Sequence, residues 1–248
     1  TGSQGIRLSF LNNMPPTQIY DEEDFNVVVE IENLGATDVN GALNRVYLSG
    51  FDPSIIVNIP ATGMPILDLE GRDYYNPQGD TDMVEFEGTI RDFENKNIDK
   101  MDITLLATAC YSYQTIATPT VCIDPDPYSL SASERVCDYN SVSMKSSQGA
   151  PVAVTNVEVD ASRGKTRFKI YIQNTDSGTV IKPESNNVER CNPHHPEGLD
   201  YDEIDQVLVR DVMIGDKSIK GSCKPLKNNY LRLKDSGASY MICELTDI

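Results

Sequence analysis

Two β-sandwich domains in tandem are the fold class this 248-residue sequence predicts. Short runs of alternating apolar and polar side chains recur throughout, rich in Val, Ile, Thr and Tyr, while long stripes of helical period are absent. Turn residues interrupt these runs at intervals of about 8–12 residues, the spacing of a sandwich. Midway, Asp124-Pro125-Asp126-Pro127 stops the pattern, because each proline removes a ladder donor and restricts the residue before it. The predicted organisation is a first domain over 1–126, a linker over 127–136 and a second domain over 137–248.

The first predicted strand covers 5–10, where Ile6, Leu8 and Phe10 alternate with Arg7 and Ser9 before Pro15-Pro16 breaks the run. In 25–33, Phe25, Val27, Val29 and Ile31 share one face. Further strands are expected at 42–49, 54–59, 83–91 and 101–111, and the Gly-, Pro- and Asp-rich stretch 61–82 reads as a long connection. The run 115–123 then pairs back on 107–111 through a turn at 112–114. In the second half, a strand at 152–159 restarts the pattern. Over 165–174, Phe168, Ile170 and Ile172 face inward and Lys169, Tyr171 and Gln173 outward. Residues 191–205 form a polar excursion. Strands at 206–214, 230–233 and 239–245 complete the domain, with Gly237 in the final turn.

Six cysteines and no CxxC pair predict disulfides, and therefore an extracellular protein. Cys110 and Cys122 face each other across the predicted hairpin and are expected to bond. Cys137, Cys191, Cys223 and Cys243 remain, with three connectivities open. No apolar stretch is long enough to span a membrane. Thr1 is neither an initiator Met nor the start of a signal peptide, so an export signal or anchor is expected upstream.

The net charge of −17 is unevenly spread. Residues 1–128 carry 21 Asp and Glu against 6 Lys and Arg; residues 129–248 carry 17 against 15. Such a first half repels the phosphate backbone, which disfavours nucleic acid as a partner. Between Lys217 and Lys234 the only charged residues are Lys217, Lys220, Lys224, Lys227, Arg232 and Lys234.

Val27 to Gly35 and Phe168 to Gly178 form an internal repeat, each an alternating strand that ends in Asn33 or Asn174 and a glycine-containing turn. This pattern resembles immunoglobulin-like modules of the CARDB-like, cell-adhesion-related kind. The segments 6–12 with Pro15-Pro16, 47–53, 110–127 and 148–154 are together similar to tandem-domain surface proteins of small-genome, DPANN-type archaea. The resemblance covers most of the chain. It implies two immunoglobulin-like sandwiches and a cell-surface location, but no chemistry. Members of that group usually carry an N-terminal membrane helix, which these residues lack.

No catalytic residues are identified: G-x-S-x-G, H-E-x-x-H and a phosphate-binding glycine loop are all absent. The chain is therefore expected not to be an enzyme. His194 and His195 follow Cys191 at a spacing that could serve a metal, but no second ligand pair accompanies them, so they are read as an exposed loop. Hard carboxylate oxygens suit Ca²⁺, and the candidates are Asp200, Asp202 and Asp205, with further clusters at 21–24, 80–82 and 124–126. None fits an EF-hand loop, and no resident cofactor is expected.

The expected function is an extracellular structural subunit that polymerises into a filament or sheath on a cell surface. Its partners are copies of itself, with other surface components as further candidates. The alternative is a monomeric or membrane-anchored adhesion ectodomain. An acidic first half and the basic run of the second favour head-to-tail contact, in which unlike surfaces meet and which propagates unless it closes a ring. Ile6, Leu8 and Phe10 are candidate strand donors for that contact, and Lys217, Lys220, Lys224 and Lys227 are its candidate basic surface. The competing expectation for Ile6 to Phe10 is the first strand of its own sandwich.

Overall fold

The computed structural model describes residues 2–92, 100–123, 137, 141–144, 148–162, 164–184, 187–234 and 236–246. The chain groups into two compact units. The N-terminal unit comprises Gly5–Tyr113 and Glu184–Asp200, and the C-terminal unit comprises Thr1–Gln4, Gln114–Pro183 and Tyr201–Ile248. The expected linker at 127–136 lies outside the described residues. Two segments group across the expected boundaries: 114–123 with the C-terminal unit and 184–200 with the N-terminal one.

The strands of the N-terminal unit are β1 (Ile6–Phe10), β2 (Asp24–Asn33), β3 (Arg45–Ser49), β4 (Ile56–Val57), β5 (Met64–Pro65), β6 (Thr81–Ile90) and β7 (Leu106–Cys110). They form two antiparallel sheets, in the orders β1-β2-β6-β4 and β5-β3-β7. Alternation on β2 and β6 turns Phe25, Val27, Val29, Ile31, Val84 and Phe86 to one side, where they meet Val46 and Leu48 of β3 in a single buried cluster. Val27, Val29 and Ile31 are fully buried, as the alternation predicts.

The expected strand at 115–123 does not form, and with it the Cys110–Cys122 bond is overturned. Cys110 bonds Cys191, Cys122 bonds Cys137, and Cys223 bonds Cys243. The physical reason lies just beyond β7. The Tyr111 hydroxyl accepts the Ile6 N–H at 3.2 Å and the Tyr113 hydroxyl accepts the Thr37 N–H at 3.1 Å. Ser112 N–H meanwhile donates to Asn44 Oδ1 at 3.1 Å. These contacts hold 111–113 against the N-terminal unit, where a hairpin would have needed them to turn back.

The C-terminal unit carries β8 (Val142–Ser143), β9 (Val152–Ser162), β10 (Lys165–Asn174), β11 (Gln206–Leu208), β12 (Met213–Ile214), β13 (Lys217–Ser218), β14 (Tyr230–Arg232) and β15 (Ala238–Thr246). Its main sheet has the order β15-β10-β9-β8, and β11-β14 and β12-β13 are small antiparallel pairs. Phe168, Ile172, Leu231, Leu233, Met241 and Cys243 form its buried core. Ile170, expected inside, is only half-buried. The β9–β10 register shifts next to it, between Tyr171 and Ile172, leaving Thr155 as an extra residue on β9. The expected strand at 206–214 breaks into β11 and β12. Between them the Asp211 carboxylate accepts hydrogen bonds from the Ser218 hydroxyl and the Val212 N–H, which hold its pKa below the ordinary carboxylate value.

The internal repeat extends to hydrogen bonds. Asn33 Oδ1 accepts from Gly35 N–H while its amide nitrogen donates to Thr37 O. Asn174 Oδ1 accepts from Asp176 N–H while its amide donates to Gly178 O. The same side-chain turn therefore closes β2 and β10. The next backbone N–H, of Leu34 or Thr175, returns to Gly5 O or Pro151 O, one residue before the preceding strand. Both strands are central, flanked by β1 and β6 in one unit and by β9 and β15 in the other. The first glycine turn differs from expectation in one respect. Gly35 is required by the Tyr113 ring, which occupies the space where its Cβ would stand, and not by a left-handed backbone.

Candidate interaction surfaces

The candidate residues of β1 pair within their own unit. Ile6 to Phe10 form a ladder with Asn33 to Val29 of β2. Ile6 and Leu8 pack partly against the N-terminal core, whereas Phe10, on the same face at the end of the strand, is exposed. On the outer face Arg7 forms an ion pair with Glu32, and the Ser9 hydroxyl bonds Glu30.

The basic run is built by two turns. A 3-10 turn at Lys220–Ser222 leads to Cys223, whose disulfide fixes the run to β15. Lys224 then exchanges backbone hydrogen bonds with Ile242. Next, Lys227 and Tyr230 exchange theirs around Asn228 and Asn229, at φ 54° and 67°. Asn tolerates positive φ, and a two-residue turn of this hand matches strand twist, which is why Asn-Asn sits there. The Lys217 ammonium donates to Thr246 O at 3.1 Å and Lys220 to Arg210 O at 2.9 Å. Lys224 and Lys227 are exposed, and among the described residues neither ammonium meets a carboxylate.

Cations and tyrosines meet repeatedly on the C-terminal unit. The Lys169 ammonium stands 4.8 Å from the Tyr171 ring centroid and 4.6 Å from that of Tyr240. Its pKa is raised, chiefly by the hydrogen bond with Tyr171 and further by Glu158. Arg232 lies 3.7 Å over Tyr201, and Lys182 lies 5.1 Å from the centroid of Tyr230.

The excursion at 184–200 docks on the N-terminal unit. Its short helix α1 (Asn187–Arg190) leads to Cys191, bonded to Cys110 at the end of β7. Asn192 Nδ2 donates to Ala61 O at 2.7 Å, and His194 Nε2 lies 2.5 Å from Leu48 O, beside Phe51. His194 and His195 are thus half-buried and not an exposed loop. Cys191, in a disulfide, offers no thiolate to a metal. A shallow hollow of about 220 Å³ beside His194 is lined by Phe51, Pro53, Ile56, Val57 and Ile59.

The Ca²⁺ candidates do not converge. Asp200 lies 3.5 Å from Arg190, and the backbone of Asp205 bonds Val180 O and Leu233 N–H. Among the described residues no group of three or more His, Cys, Asp or Glu is placed to hold a metal ion. Asp124 and Asp126 lie outside the described residues. Among those residues, too, no helix is long and apolar enough to cross a membrane.

The sequence reading missed Tyr74 and Tyr75. They are 91% and 90% exposed and touch each other edge to face, with ring centroids 5.3 Å apart. The loop beneath them is tightly tied. The Asp73 carboxylate accepts the N–H groups of Tyr75 and Asn76, and Asp80 accepts the Glu70 N–H and the Asn76 side-chain amide. Two adjacent aromatics inside a Gly-, Pro- and Asp-rich connection were the available signal. No protein-family model, curated protein or solved structure matches this chain.

Proposed function

We propose that the chain is an extracellular structural subunit of two tandem immunoglobulin-like sandwiches that assembles with copies of itself into a filament or sheath on a cell surface. The observation that carries the reading is the division of charge between the units. The N-terminal unit holds 23 Asp and Glu against 7 Lys and Arg, a net −16; the C-terminal unit holds 15 against 14, a net −1, and presents Lys224 and Lys227, which meet no carboxylate among the described residues. Unlike surfaces on one chain favour heterologous contact between copies, and charge of this kind steers encounter and fixes register. The tandem-module reading is supported by the shared Asn turn and the matching three-strand order. The extracellular reading is supported by three disulfides.

The test is electron microscopy and sedimentation velocity of the full chain at low and high salt. Fibres or concentration-dependent oligomers that dissolve as salt rises are expected. Discrete monomers under every condition would select the second reading, an adhesion ectodomain, which the exposed pair Tyr74 and Tyr75 favours.

A further inference from the structure

We infer that the Tyr74–Tyr75 loop is the docking element of self-assembly and that its occupant is the Lys224–Lys227 surface of a second copy. The inference rests on the assembly reading above and names the residues that meet.

Large aromatic side chains at 91% and 90% exposure leave much apolar area in water, and a protein surface rarely presents two side by side without a role in contact. The rings are held ready for one. Asp73 fixes the backbone at Tyr75 and Asn76 with bonds of 2.7 and 2.5 Å, so little backbone freedom remains to be lost on binding. Tyrosine has only two side-chain torsions to immobilise, which makes it an efficient anchor.

The chemistry of the occupant follows from charge. The loop lies in the unit of net −16, and Asp68, Glu70, Asp73, Asp80 and Asp82 accompany the tyrosines in sequence. An electron-rich ring face among carboxylates attracts a cation. The chain already makes this pairing on its other unit, where Lys169, Lys182 and Arg232 each lie over a tyrosine. Tyr74 and Tyr75 have no such cation among the described residues. Conversely, Lys224 and Lys227 are exposed cations that meet no carboxylate among the described residues, on a run held by a disulfide and a two-residue turn. The unpaired tyrosines and the unpaired lysines are complementary. They lie on different units of one chain, so their union between copies can repeat.

The experiment uses the full chain in low salt. Association is measured by sedimentation velocity for wild type, Tyr74→Ala/Tyr75→Ala and Lys224→Glu/Lys227→Glu, and benzoylphenylalanine at position 75 is photo-crosslinked and mapped. Both double variants alter exposed residues, and unchanged circular dichroism checks that they fold. At least a tenfold loss of association is expected in each, with crosslinks to peptides of 217–234 from another copy. Association of wild-type strength in either variant, or crosslinks confined to other segments, overturns the inference while leaving the assembly reading in place. A wild-type chain that stays monomeric at every concentration overturns both.

Discussion

In the N-terminal unit the central strand β2 buries Val27, Val29 and Ile31 completely. In the C-terminal unit its counterpart β10 leaves Ile170 half-buried and loads its outer face with Lys165, Arg167 and Lys169. The two strands share a position, an Asn turn and a pattern of neighbours. What surrounds them differs. A broad aliphatic and aromatic core fills the first unit, and the cysteine in its sheets reaches out to tie down the excursion. The second unit puts a disulfide inside its core, through Cys223 and Cys243, and ion pairs across its face. The comparison teaches that one strand motif tolerates two means of stabilisation, apolar burial and cross-linking.

The largest expected effect comes from the cross-links. Cys110–Cys191 spans 81 residues and Cys223–Cys243 spans 20. On the chain-entropy account, Cys110→Ala/Cys191→Ala costs about 4.5 kcal/mol and Cys223→Ala/Cys243→Ala about 3 kcal/mol. Hydrogen exchange read by mass spectrometry, peptide by peptide in denaturant, assigns each loss to a unit. The first variant should expose 184–200 and β7 first, the second β15 and the 217–234 run. Loss of protection confined to the opposite unit in either case would break the comparison.

Next come the cores. Phe86 and Phe168 are each 1% exposed. Replacing either by Ala removes a buried ring and leaves a cavity, at about 3–5 kcal/mol. Phe86→Ala should fall at the upper end, since close-packed β2 and β3 cannot collapse into the space. Phe168→Ala should fall at the lower end, because half-buried neighbours such as Ile170 can move in. Equal costs in denaturant melts would show the second core to be as rigid as the first.

Some of this was legible in sequence and some was not, for identifiable reasons. Alternation located β2 and β10 because a half-buried strand must repeat every second residue. Asn33 and Asn174 announced their turns because Asn satisfies the backbone locally. The disulfides were misread because pairing is a tertiary fact. Nothing between 174 and 206 signals that Cys191 returns to Cys110. Tyr111 and Tyr113 share the period of a strand, and their hydroxyl contacts to Ile6 and Thr37 lie far away in sequence. The lysine run was visible as composition, but which lysines lack partners depends on folding, as does the exposure of Tyr74 and Tyr75.

A smaller effect sharpens the shared turn. A Cβ on Gly35 would overlap Tyr113, with Cζ only 2.8 Å away, whereas one on Gly178 meets nothing within 4 Å. Gly35→Ala should destabilise the N-terminal unit by about 1–3 kcal/mol through overpacking. Gly178→Ala should change stability by no more than about 0.5 kcal/mol. Tyr113→Ala should remove most of the difference, as a double-mutant cycle would reveal. If Gly35→Ala is silent alone, close approach of Tyr113 is not what that glycine serves.

The smallest effect separates the units by pH. Glu244 on β15 receives Lys165 at 2.6 Å and Arg167 at 3.0 Å, and these hydrogen bonds hold its pKa below the ordinary carboxylate value. A carboxyl group depressed on folding contributes stability at pH values above its unfolded pKa, and that contribution is lost as pH falls through the lower, folded value. The pair is solvent-exposed, so the effect is modest and screened by salt. The N-terminal unit moves under a different force, because acidification reduces the self-repulsion of a surface at net −16. Between neutral pH and the acid side of the carboxylate range, protection of β10 and β15 should therefore decline relative to that of β2 and β6. Glu244→Gln should flatten that decline without altering β2 and β6, and added salt should reduce it in the wild type. Parallel acid profiles for the two units, unchanged by Glu244→Gln, would mean that ion pairs on the β10 face do not distinguish the second unit from the first.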